Sequence, residues 1–129
     1  MKKELFIVAI IVIIIISFHA ISQIYVQGFF DNISKDLDNV ENKILNEDIK
    51  KEELESEINN IQEKWNKKYD YFACFIEHDE LEKVQTQFIS IEANIKVEDF
   101  DKSVDEIEKC KFIIKHIEEK DSLKIVNIF

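Results

Sequence analysis

Twelve apolar residues in succession, LFIVAIIVIIII from Leu5 to Ile16, constrain this chain more than any other feature. A helix built from them is greasy on every face and has no polar side to turn toward water. Continued to Val26, the segment reaches roughly 33 Å as a helix, enough to cross a hydrocarbon core of about 30 Å. Each Ile, Val, Leu or Phe near the centre of a span favours insertion by about 0.3–0.6 kcal/mol. Ser17, His19, Ser22 and Gln23 are too weakly polar to cancel that sum. We therefore read residues 5–26 as a retained transmembrane anchor. A cleaved signal peptide would put Ala20 at the −1 position and the bulky Phe18 at −3, where a small residue is needed. No cysteine directly follows the run, so lipoprotein processing is not in play.

Lys2 and Lys3 precede the span, and no lysine follows it until Lys35. The positive-inside rule then leaves residues 1–4 cytoplasmic and the body extracytoplasmic, in a single-pass protein of the cell membrane. Tyr25, Phe29 and Phe30 suit the far interface, and Gly28, the one glycine of the chain, gives a place for a bend. Within the span His19, Ser22 and Gln23 share one helical face, open to a second transmembrane helix or to water at the boundary.

The formal net charge is −10, and there is no arginine. Such a balance argues against nucleic acid and against adsorption to anionic headgroups. It also leaves no bidentate guanidinium clamps for phosphate. With no proline and one glycine, the remainder reads as all-α.

Apolar stripes organise that remainder. Residues 27–47 form a juxtamembrane helix, with Asp31 or Asn32 as its cap and Ile33, Leu37, Val40 and Ile44 as a narrow seam. A break at 46–48 leads into residues 48–129, a helical bundle with a C-terminal tail. Its second helix carries Leu54, Ile58, Ile61, Trp65, Tyr69, Phe72 and Ile76 on one face. Asp79 and Glu82 make a capping-box pattern for a third helix with Leu81, Val84, Phe88, Ile91 and Ile95. Glu98 or Asp99 caps a fourth, with Phe100, Val104, Ile107, Cys110, Ile114 and Ile117. Short connections make these three an antiparallel bundle over residues 50–119, and the tail from Leu123 to Phe129 is expected to fold back on it. An internal echo between residues 47–51 and 98–102 loses register downstream, which leaves a tetratricopeptide-like helical repeat as no more than a weak suggestion.

The chemistry is sparse. His78 beside Asp79 and Glu80, and His116 beside Glu118 and Glu119, are the His-plus-acid groups of the body. They offer an alternative reading, an extracytoplasmic metal- or ligand-binding sensor, but neither has the i, i+4 spacing of a zinc helix. Asp99, Asp101, Ser103 and Asp105 begin like a calcium loop, yet Val104 and Cys110 stand where glycine and a bidentate glutamate are required. Cys74 points away from the Trp65 face, so no disulfide with Cys110 is expected. No phosphate loop and no nucleophile–base arrangement appears. The expectation is a non-enzyme without cofactor. It would be an accessory or interaction subunit for another membrane protein, or self-associating, with His19, Ser22, Gln23, Ile33, Leu37, Val40 and Ile44 as candidate contacts.

The N-terminal anchor, Trp65, the stretch Phe75-Ile76-Glu77-His78-Asp79-Glu80 and the ending Leu123 to Asn127-Ile128-Phe129 resemble one family. It comprises small proteins of low-GC Gram-positive bacteria, catalogued as domain of unknown function 4363. The resemblance covers nearly the whole chain and implies a single-span helical protein, often encoded beside a multi-pass membrane protein. It implies no activity and assigns no site residues.

Overall fold

The computed structural model describes residues 1–46 and 50–128, with side chains up to Lys120. Four helices make it up: α1 (Lys2–Leu45), α2 (Lys51–Ala73), α3 (His78–Lys96) and α4 (Phe100–Ile128). No strand occurs among the described residues. Within those residues α1 is the one helix long and apolar enough to cross a membrane.

The span and the juxtamembrane helix are one element. α1 runs 44 residues without interruption, so Asp31 and Asn32 sit mid-helix and cap nothing. Gly28 is a helical residue like its neighbours, because a single glycine costs a helix only about 1 kcal/mol. Glu47 and Asp48, part of the expected break, lie outside the described residues.

The helices pack in a closed ring. α1 lies against α2, α2 against α3, α3 against α4, and α4 against α1, leaving α1–α3 and α2–α4 as diagonals. Cross-helix pairs fix the antiparallel sense. Asp36 meets Lys64 while Lys43 meets Glu57. Gln62 meets Glu92 while Asn66 meets Gln85. The juxtamembrane part of α1 is thus the fourth member of the bundle, alongside the three antiparallel helices expected from sequence.

The core follows the stripes. Phe30, Ile33, Leu37, Val40, Leu54, Ile58, Trp65, Phe72, Leu81, Val84, Phe88, Ile91, Ile95, Ile107 and Ile114 are buried to 1% exposure or less. Near the span the core is aromatic, with the Phe30 and Trp65 rings stacked at 5.6 Å and Phe72 at 5.9 Å from Trp65. Farther up it is aliphatic. Ile76 stays buried although it lies in the α2–α3 turn.

Helix ends deviate from three expectations. α3 starts at His78 with Glu77 as its cap position, and no side chain makes a capping bond, so the Asp79–Glu82 box does not form. α2 ends at Ala73 rather than at Ile76. The α3–α4 turn is as expected at its second half, where Asp99 Oδ1 accepts from the Lys102 amide at 3.2 Å. Its first half is a paired C-cap. Glu98 takes φ 59°, and the amides of Glu98 and Asp99 donate to the carbonyls of Ile95 and Asn94. α4 continues as helix through Ile128, so its backbone makes no return turn at Leu123. Phe129 and the side chains beyond Lys120 lie outside the described residues.

Candidate functional site

Exposure divides α1 at Tyr25. The large apolar side chains from Leu5 to Ile16 are 40–76% exposed, as are Phe18, Ile21 and Ile24 at 62–72%. From Val26 onward the stripe side of the helix is buried. A 30 Å greasy rod therefore projects from a packed domain. Contiguous exposed apolar surface of this kind is rare on a soluble monomer.

The expected contact residues sit elsewhere than their sequence pattern implied. Ile33, Leu37, Val40 and Ile44 are 0–8% exposed, covered by the chain's own α2 and α4. As candidate contacts they would have to be open to a partner, and in the structure they are not. The reason is that the seam faces the bundle axis, where three more stripes converge. Ser22 is 4% exposed and stands one turn before Val26, itself 3% exposed, so the polar face continues the line of the seam. His19 and Gln23 are half-buried on either side. Their Nε2 atoms are shielded, and neither has a hydrogen-bond partner. Phe30, expected at the membrane interface, is a core residue, and Phe29 is half-buried against Phe72 at 4.9 Å.

Ionic groups knit the helices rather than form a pocket. Lys111 reaches from α4 to Asp38 at 2.6 Å and Glu41 at 2.8 Å on α1, with Glu108 of its own helix at 2.7 Å. Burial opposes its charge, but these carboxylates outweigh it and hold the ammonium above its ordinary range. A groove of about 220 Å³ between α1 and α2 is lined by Asp36, Lys43, Glu57 and Lys64, and all four are already engaged in ion pairs. Among the described residues Val40 and Ile61 are its only apolar lining, too little for the wall of a ligand cleft.

The two histidines of the body have separate local partners. His78 lies 3.1 Å from the Tyr69 hydroxyl and 3.1 Å from Glu82, while His116 stacks on Phe112. Among the described residues no three His, Cys, Asp or Glu side chains come together as metal ligands. Cys74 is exposed and Cys110 is in the core, and both are free. Burial pushes the Cys110 thiol up to about 12, which keeps it protonated and unreactive.

Two features escaped the sequence. Glu118 on α4 faces Asp31 on α1, and burial together with that neighbouring carboxylate pushes it up to about 7. Charge spacing alone cannot show which helices meet. The other is an aromatic group at the foot of the bundle. Tyr25 meets Tyr71 edge-on at 5.6 Å, Tyr71 meets Phe75 at 5.2 Å, and Lys68 Nζ lies 5.4 Å from the Tyr25 ring centre. The i, i+4 spacing of Tyr71 and Phe75 was a legible signal, masked by the stronger stripe of Trp65 and Phe72.

No curated protein and no solved structure shows a significant match to the chain. A family sequence model described as Domain of unknown function (DUF4363) matches residues 20–128, which leaves the apolar run of residues 5–16 outside the match and takes in the whole bundle. On that match, the chain belongs to the DUF4363 family.

Proposed function

We propose that the protein is a single-span membrane protein, amino terminus cytoplasmic and acidic bundle extracytoplasmic, that serves as an accessory or interaction subunit of another membrane protein. The observation that carries this reading is the exposed apolar half of α1. A core helix of that hydropathy would be buried, whereas only 6% of the most apolar window is covered by the chain itself. Bilayer insertion removes that surface from water.

Support for a protein partner is narrower. His19 and Gln23 are half-buried polar side chains at the outer end of the span, and polar groups in a span are commonly satisfied by other protein. The fully covered core stripe leaves the bundle no need of a partner for its own folding. The reading gives no residue a catalytic role. Purification of the full chain from native membranes in mild detergent tests it, and co-recovery of a stoichiometric membrane protein is expected. Recovery of the chain alone and monomeric would overturn the partner, and release from membranes by alkaline carbonate would overturn the span.

A further inference from the structure

We infer that the α2–α3 turn is a second membrane contact, with Tyr71 and Phe75 seated in the headgroup layer beside Tyr25, so that the bundle rests on the bilayer surface. The inference builds on the span proposed above. Counted from Leu5, a helix crosses about 30 Å of hydrocarbon in about 20 residues, which brings the water-side boundary to Ile24 and Tyr25. The ring distances then fix the level of the turn. Tyr71 is 5.6 Å from Tyr25, and Phe75 is 5.2 Å from Tyr71, so both stand at that boundary.

The surface chemistry fits a bilayer interface. Phe30, Trp65, Phe72 and Phe88 are hidden in the core to 1% exposure or less, yet Tyr25 and Tyr71 stay 44% and 36% exposed. Phe75 is half-buried between them and the core. Tyrosine favours this layer because its ring is apolar and its hydroxyl reaches water. The Lys68 ammonium lies 5.4 Å from the Tyr25 ring centre, which holds a cation at the level where lipid phosphates lie. Phe112, higher on α4, is an exposed ring that this contact does not explain.

The occupant is a phospholipid headgroup layer, and exposed Cys74 in the same turn supplies the probe. The full chain is reconstituted in phosphatidylcholine vesicles with an environment-sensitive fluorophore on Cys74, the core Cys110 being shielded from the reagent. A control carries the label at Asn46→Cys in a Cys74→Ser chain, at the far end of the bundle. Lipid spin-labelled near the headgroup is expected to quench the Cys74 label, with blue-shifted emission, and to spare the Asn46→Cys label. Tyr71→Ser with Phe75→Ser should abolish that quenching while the Trp65 signal of the folded core persists. Co-flotation of the chain with vesicles, combined with equal quenching of both labels by aqueous iodide, would overturn the contact and leave the span intact. Shielding of the Cys74 label from lipid and iodide alike would put a second copy over the turn and also overturn it. Failure to float with vesicles would overturn the span and the contact together.

Discussion

Glu98 holds a left-handed backbone conformation, φ 59°, that an L-residue adopts at a cost of about 1–2 kcal/mol. It does so because the turn from α3 to α4 needs a residue there for the paired C-cap, and glycine is absent. Glu98→Gly is therefore expected to raise stability by about 1 kcal/mol, less the small extra entropy of a glycine in the unfolded chain. Glu98→Ala should give no such gain, and equal urea midpoints for the two variants would refute the argument. Glu118 tests electrostatics in the same way. Its folded-state value of about 7 lies above the ordinary 4.5. The folded chain keeps a proton that the unfolded chain has lost between those values, so stability falls as pH rises through that window. Glu118→Gln should melt higher than the parent at about pH 8 and equally at about pH 4.5, because glutamine mimics the protonated form. The same increment at both pH values would show that the Asp31–Glu118 approach is not what matters. The sequence marked Glu98 only as a possible cap and Glu118 only as a neighbour of His116, and neither for the role it has here. The Asp99 cap was legible, because a cap is decided by neighbours within one turn, whereas the Asp31–Glu118 meeting is decided by packing.

At the scale of elements, stripes were legible and ends were less so. Leu81, Val84, Phe88, Ile91 and Ile95 were assigned to one face, and that face is buried throughout. Periodicity records the buried side of a helix directly. The helix start expected at Asp31 or Asn32 failed because a capping residue only permits a helix to start. Nothing obliges the preceding helix to stop, and Gly28 is too small an obstacle to end it. Gly28 itself gives a clean test. A Cβ built there meets nothing within 4 Å, and the residue is exposed on a continuous helix. Gly28→Ala is expected to stabilise α1 by about 0.5–1 kcal/mol in detergent, as alanine loses less backbone entropy. A loss of stability, read by thermal melting, would mean that the helix must bend at this point after all.

For the whole molecule, what the sequence withheld was which stripe meets which. The seam of Ile33, Leu37, Val40 and Ile44 reads the same whether it faces a partner protein or the chain's own helices. Only the closure of α4 against α1 decides the matter. That closure has a strong consequence for how the chain is divided. Val26, Phe30, Ile33, Leu37, Val40 and Ile44 are buried core residues, and burying each contributes roughly 1.5–3 kcal/mol. Together they rival the entire stability of an ordinary domain, about 5–15 kcal/mol. A chain beginning at Tyr25 should therefore be soluble, helical and cooperative in its unfolding, because every core stripe is retained. A chain beginning at Lys50 should not fold cooperatively, because Trp65, Phe72, Ile114 and Ile117 lose the helix that covers them. Circular dichroism melts and dye binding to exposed apolar surface separate the two. A sharp, dye-silent transition from the shorter chain would show that the last three helices are a domain by themselves. It would also free the α1 seam for the partner contact that its pattern first implied.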